Sequence, residues 1–174
     1  NIVPERNIEA IIDAVSNLGG IELFIQGSGN HKKKLEEHIK NIQCNNVYFK
    51  ERVPYNALSD SLSCYDVGVI SYEVYNRHVE GALPNKFFEY MAGGLAMLLT
   101  QTKAFEDFEN ISDFALFIDP SRPKTLVEQL TFLLYIPEVV NRMKERSFEE
   151  AQRYCGEALI HRILQVYEHL DVLA

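Results

Sequence analysis

Apolar positions along this chain follow two alternating rhythms. Ile8, Ile11, Ile12, Val15 and Leu18 lie three and four apart, the spacing of one helical face, and Gly19-Gly20 ends that helix. Ile21 to Ile25 then reads as a short strand closed by Gly27-Ser28-Gly29. A charged amphipathic helix follows, with Leu35, His38 and Ile39 on one face, to about Ile42. Val47-Tyr48-Phe49 gives a second strand, Leu58 and Leu62 a short helix, and Val67 to Ile70 a third strand after Asp66. Residues 71–84 are polar and irregular, a loop of the length that usually serves binding. Then come a helix from Asn85 to Ala92 stopped by Gly93-Gly94, a strand from Leu95 to Leu99 and a strand from Ala115 to Ile118. Beyond Asp119-Pro120 the pattern turns helical, over about residues 122–172. Leu126, Leu130, Leu133 and Leu134 form one face, a charged 138–150 segment follows, and a last helix ends near Val172.

Strands alternating with helices predict an α/β fold, a Rossmann-like parallel sheet flanked by helices, in one domain spanning residues 1–174. A doubly wound half normally opens with a strand, so the opening strand is expected upstream of Asn1. Ligands of such sheets sit beyond the carboxyl ends of the strands. The Gly27-Ser28-Gly29 bend, the 71–84 loop and Asn85 all map to that edge.

Composition narrows the function. A formal charge of −8 argues against a dedicated nucleic-acid binder, and 47% hydrophobic with 11% aromatic residues argues for a packed core. Cys44, Cys64 and Cys155 have no Cys-x-x-Cys spacing and suit reduced thiols, hence a cytoplasmic setting. No run approaches the roughly twenty apolar residues a bilayer requires.

The segment Leu83-Pro84-Asn85-Lys86-Phe87-Phe88-Glu89 is the most informative. A helix starting at Asn85 offers free backbone N–H groups and a partial positive charge, which suit a phosphate. Glu89 lies one turn on, on the face of Asn85, where a carboxylate can accept hydrogen bonds from sugar hydroxyls. Phosphate together with hydroxyls describes a nucleotide. Gly27 and Gly29 either let backbone approach a diphosphate or serve only the geometry of a strand-to-helix turn, and the third glycine of a dinucleotide fingerprint is replaced by Lys32. Arg6 opens the first helix and reads foremost as a surface arginine, with reach to a phosphate across the same edge as the alternative. Lys32-Lys33-Lys34 oppose the helix dipole and read foremost as a solvated face, with anion attraction as the alternative. Glu80 is a weaker candidate than Glu89, and Glu73, Arg77 and His78 share its loop. His161 and His169 lie too far apart for one site, and the sequence holds no His-Glu-x-x-His, calcium loop or Gly-x-Ser-x-Gly elbow.

With these pieces in order, the sequence resembles the C-terminal, donor-binding domain of GT-B-fold glycosyltransferases, in particular the large retaining group that builds bacterial polysaccharides and glycolipids. The resemblance runs from residue 1 to about residue 155. Asn1 to Ile8 resembles a segment with a basic residue followed five positions later by Lys-Gly; Arg6 takes the lysine position and Asn1 stands where arginine is usual. Ile25 to Gly29 resembles the strand ending in Gly-x-Gly, and Asn46 to Tyr55, with Val53, the strand and loop whose backbone reads the base. Tyr65-Asp66-Val67 resembles the run before the site loop, and Leu83 to Gly94 the helix with the ribose-binding glutamate. Three positions depart: Gly81 stands where many relatives carry a second glutamate, next to Glu80; Pro84 and Glu51 replace glycines.

The resemblance implies a nucleoside-diphosphate sugar as donor, held by Arg6, Gly27, Gly29, Val53, Asn85, Lys86 and Glu89, with Glu80 as the weak catalytic candidate. It implies no metal or other cofactor, retention of anomeric configuration, and a glycan or lipid-linked acceptor held by an absent N-terminal domain. This chain alone is therefore expected to be inactive, and the whole protein to be cytoplasmic or at the inner face of the cell membrane. A sugar-nucleotide epimerase of the same architecture, or a non-catalytic α/β binding module, are the alternatives.

Overall fold

The computed structural model describes residues 1–72, 80–156, 158 and 160. Five strands, β1 (Leu23–Gln26), β2 (Val47–Lys50), β3 (Val67–Ile70), β4 (Ala96–Thr100) and β5 (Ala115–Ile118), all pair in parallel. Seven helices connect or follow them: α1 (Ile8–Ser16), α2 (Lys32–Asn41), α3 (Leu58–Leu62), α4 (Asn85–Ala92), α5 (Lys103–Glu106), α6 (Pro123–Tyr135) and α7 (Pro137–Ala151). Short 3-10 turns at Pro4–Arg6, Tyr55–Ala57, Ile111–Asp113 and Gln152–Tyr154 complete the described elements.

The α/β, Rossmann-like class is as expected, but the strands do not form one sheet. Hydrogen bonds join β1 to β2 and, separately, β3 to β4 to β5. Among the described residues the inner edges of β1 and β3 bond to no strand, and a cavity lies between them. The expected strand boundaries shift too. β1 starts at Leu23 rather than Ile21, because Ile21 belongs to the turn whose carbonyl accepts from Asn46 Nδ2 at 2.9 Å. The α1 helix stops at Ser16, before Leu18. Val172, His161 and His169, together with Glu73, Arg77 and His78, lie outside the described residues.

Burial follows the period of each element. Every residue of β4 is buried, as befits a central parallel strand. Its Ala96 and Leu98 face one core with Ile11, Ala14 and Val15 of α1, Leu126, Leu130 and Leu133 of α6, and Val140 and Met143 of α7. Met97 and Leu99 face the other side, with Phe87 and Met91 of α4 and the rings of Phe105, Phe108 and Phe114. The Phe87 and Phe108 rings meet edge to face, centroids 4.8 Å apart. Burying a ring such as Phe87 completely stabilises the fold by roughly 1.5–3 kcal/mol. A third cluster of Ile2, Ile12, Ile25 and Leu35 holds α1 and α2 on β1 and β2. Helix α1 thus serves both sheets, through Ile12 on one side and Ile11, Ala14 and Val15 on the other.

Candidate functional site

Strands are parallel within each sheet, and Ile2, bonded to the Ser28 carbonyl, and Arg6, over the Tyr72 ring, bring the carboxyl ends together. Gly27-Ser28 after β1, Arg52-Val53 after β2 and Ser71-Tyr72 after β3 thus share one edge. That edge opens into a cavity of about 1910 Å³ which continues down between β1 and β3. Asn1, Arg6, Gly27, Ser28, Arg52, Val53, Asn85, Lys86 and Glu89 are all on its wall. Six of the seven donor-binding residues expected from sequence therefore converge there. The seventh, Gly29, is not on the wall. A Cβ on Gly29 would fall 2.0 Å from the Ile2 carbonyl oxygen, so its close approach is to the protein's own backbone. Glu80 is exposed and off the cavity wall.

Helix α4 sets the site. Pro84 precedes it in extended conformation (φ −76°, ψ 155°), and the Phe87 N–H bonds back to the Pro84 carbonyl at 2.9 Å. The amides of Asn85 and Lys86 at the first turn have no intrahelical acceptor, as at every helix start. Phe87 and Met91 are buried inward, which turns Asn85, Lys86 and Glu89 toward the cavity. At the far end Gly93-Gly94 stops the helix, with Gly94 at φ 65°, and the Ala92 carbonyl accepts from Ser59 Oγ at 3.1 Å. Glu89 is part-buried, on the same cavity wall as Gly27 and Ser28.

Arg6 reaches the site through a short turn. The Asn7 N–H bonds to the Pro4 carbonyl at 3.0 Å, and Asn7 adopts the left-handed conformation at φ 50°. Asparagine tolerates that region far better than most side chains, and here it replaces the glycine of the resembled motif. The Arg6 guanidinium lies over the Tyr72 ring, 4.6 Å from its centroid, and Tyr72 is itself buried. Gly27 sits at φ 137°, a conformation side chains rarely adopt, while its N–H bonds to the Lys50 carbonyl at 3.2 Å.

The electrostatics are lopsided. Burial and then the neighbouring Arg6 pull Lys86 below the ordinary lysine value, with Glu89 opposing. Burial, then Glu89, pushes the Tyr90 phenol up to about 12, so it stays neutral. Among the described residues no ion pair involves Arg6, Arg52, Lys86 or Glu89. Three cations around a helix start make a receptor for an anion; one carboxylate beside them makes an acceptor for hydroxyls.

Ser28 and Tyr55 also line the cavity, as do Arg52 and Lys50, which sequence reading did not single out. Arg52 follows β2 by two residues, so its position at a strand's carboxyl end was the available signal. The Lys32-Lys33-Lys34 run is off the cavity: Lys32 lies over the Phe49 ring, and Lys34 pairs with Glu9 at 3.7 Å. Among the described residues no cluster of three or more His, Cys, Asp or Glu is placed to hold a metal. The three cysteines carry free thiols, and no described helix is long and apolar enough to cross a membrane.

The sequence model of the family described as glycosyl transferases group 1 matches residues 1–150. The chain belongs to that family. Comparison with curated proteins gives no match. Among solved structures, the fold is similar to sucrose-phosphate synthase from Thermosynechococcus elongatus, with TM-score 0.77 and 18% identity over 99% of this chain and 44% of that one. It is similar to Anabaena HepE in complex with UDP-glucose, with TM-score 0.75 and 15% identity over 97% of this chain and 47% of that one. It is also similar to the catalytic domain of cholesterol-alpha-glucosyltransferase from Helicobacter pylori, with TM-score 0.71 and 18% identity over 88% and 93% of the two chains. At such identities the likeness is one of fold. This family member spans less than half the length of the first two proteins.

Proposed function

We propose that this chain is the donor-binding domain of a glycosyltransferase and takes a nucleoside-diphosphate sugar at the carboxyl edge of its sheets. The observation that carries this reading is the convergence of Arg6, Arg52, Lys86, the start of α4 and Glu89 on one cavity wall. Breaking the bond between sugar and diphosphate builds negative charge on the leaving phosphate. Arg6, Lys86 and the Asn85 N–H are placed to stabilise that charge, the largest electrostatic task of such a transfer. Glu89 accepts hydrogen bonds from the ribose hydroxyls, and Gly27 lets backbone come close to the diphosphate. Val53, between Arg52 and Tyr55 on the wall, is the contact for the base.

Family membership and the UDP-glucose complex of the structurally similar Anabaena protein support the donor class. In the whole protein the acceptor, a glycan or a lipid-linked sugar, is held by a second domain across this cavity. Transfer there retains anomeric configuration without a metal, in the cytoplasm or at the inner face of the cell membrane. This chain by itself binds donor and transfers nothing. The test is calorimetric titration of UDP and of GDP into this chain and into its Glu89→Ala and Arg6→Ala variants. Each variant is expected to bind the preferred nucleotide about 5- to 150-fold more weakly, the equivalent of about 1–3 kcal/mol for a charged hydrogen bond. Equal affinity in all three proteins rejects the site.

A further inference from the structure

Arg6 and Lys86 share the cavity wall, and Arg6 is close enough to help pull the lysine below its ordinary value. Like charges push such side chains apart, so a further contact has to keep the guanidinium in place. A carboxylate would do so by cancelling the charge and filling the fork of N–H donors that a phosphate needs. The described structure sets an aromatic ring there. The Arg6 guanidinium lies over Tyr72, 4.6 Å from the ring centroid. An aromatic face attracts a cation through its quadrupole, and the charge and the donor fork remain for a ligand.

The ring is itself held. Tyr72 follows β3 by two residues and is 6% exposed, in the core cluster of Ile70, Phe87 and Phe105. It is off the cavity wall, so it stands behind Arg6 rather than against a ligand. The Tyr72 N–H donates to Thr100 Oγ1 at 3.0 Å, and Thr100, the last residue of β4, is buried. The backbone register of β3 and β4 closes at Ile70 and Leu99. The hydroxyl therefore carries the pairing beyond the ladder and ties Tyr72 to the fully buried strand. On the other side, the Arg6 N–H bonds to the Val3 carbonyl at 3.2 Å, which fixes the turn that presents the guanidinium.

We propose that Tyr72 is a positioning residue for donor binding: its ring, anchored by Thr100, holds the Arg6 guanidinium on the cavity wall with charge and donors open to the diphosphate. The proposal rests on the donor-site reading above. Tyr72 acts through Arg6 and touches no part of the ligand. The ring face carries the role and the phenol oxygen does not, because a phenylalanine face attracts a cation as well.

The experiment titrates UDP and GDP by calorimetry into this chain and into its Arg6→Ala, Tyr72→Leu and Tyr72→Phe variants, and into the double variant Arg6→Ala with Tyr72→Leu. Tyr72→Leu is expected to weaken binding of the tighter nucleotide about 2- to 30-fold, the range for a cation over an aromatic face. Tyr72→Phe is expected to restore affinity to within about twofold of the parent. With Arg6 already alanine, Tyr72→Leu is expected to lose nothing further, which a residue acting only on the fold would not show. A second measurement leaves Tyr72 untouched. In the free chain the Arg6 side-chain NMR signals, assigned by their loss in Arg6→Ala, are expected upfield of those of the other arginines, as for protons over a ring face. Arg6→Ala binding both nucleotides as the parent does overturns the donor-site reading and this inference together. With Arg6→Ala weakened, the inference alone is overturned by any of four results: Tyr72→Leu binds as the parent does, Tyr72→Phe is as weak as Tyr72→Leu, the two losses add in the double variant, or the Arg6 signals stand among those of the other arginines.

Discussion

The ring of Tyr90 lies flat against the backbone of Gly68: a Cβ added there would come within 2.4 Å of the tyrosine's Cδ2. This contact seats α4 on β3 and thereby aims Glu89, one residue earlier, into the cavity. Gly68→Ala is expected to destabilise the chain by about 1–3 kcal/mol, the usual cost of overpacking a tight contact. In a Tyr90→Ala background the same change should cost much less, and a double-mutant cycle of thermal unfolding measures the difference.

Lys86 makes stability and binding oppose each other. Its folded pKa lies below the ordinary 10.5, chiefly through burial and then through Arg6, so the unfolded chain binds that proton more tightly. The resulting penalty is complete below the folded value and fades as pH rises toward 10.5. Lys86→Met should therefore raise Tm at neutral pH, with the gain shrinking in alkaline buffer. The same substitution should weaken UDP or GDP binding. A variant less stable than the parent at pH 7 would contradict the charge assignment.

Glu89 and the ribose can be tested together. If the carboxylate accepts from the ribose hydroxyls, Glu89→Ala should lose affinity for UDP but not for 2′,3′-dideoxy-UDP. The parent chain should already discriminate between the two by about 5- to 150-fold, the worth of one charge-assisted hydrogen bond. Isothermal titration of the four pairs decides it.

Arg52 is exposed at the cavity mouth, and exposed charges contribute little. Arg52→Ala is expected to weaken nucleotide binding by about fivefold or less, about 1 kcal/mol at most. The loss should diminish in 0.5 M salt, roughly a Debye length of 4 Å, whereas that of Arg6→Ala should persist.

Asn46 holds the turn between α1 and β1. Its Nδ2 donates to the carbonyls of Val15 at 3.1 Å and Ile21 at 2.9 Å, with Leu18 at 3.4 Å. Asn46→Ala leaves these part-buried acceptors without their donor and should cost about 1–3 kcal/mol in unfolding free energy. Asn46→Asp should cost more, because it points a carboxylate at carbonyl oxygens.

Local chemistry by itself determined the order of elements, the parallel class of the sheet and the face of α4 that carries Asn85 and Glu89. Each depends on residues within one helical turn or strand period: Pro84 before a helix start, Gly93-Gly94 after it, apolar side chains every second or third and fourth position. The residues themselves named Arg6 and Gly27 as candidates and the family resemblance added Val53, all on the cavity wall with the α4 residues. Tertiary structure alone decided what depends on distant backbone. It took Gly29 off the cavity wall because Ile2 crosses there, brought in Arg52 from the end of another strand, and parted β1 from β3. Periodicity records which face of a strand is apolar, but hydrogen bonding between edges is made by backbone that every residue shares, so no pattern of side chains could show which edges lie unpaired.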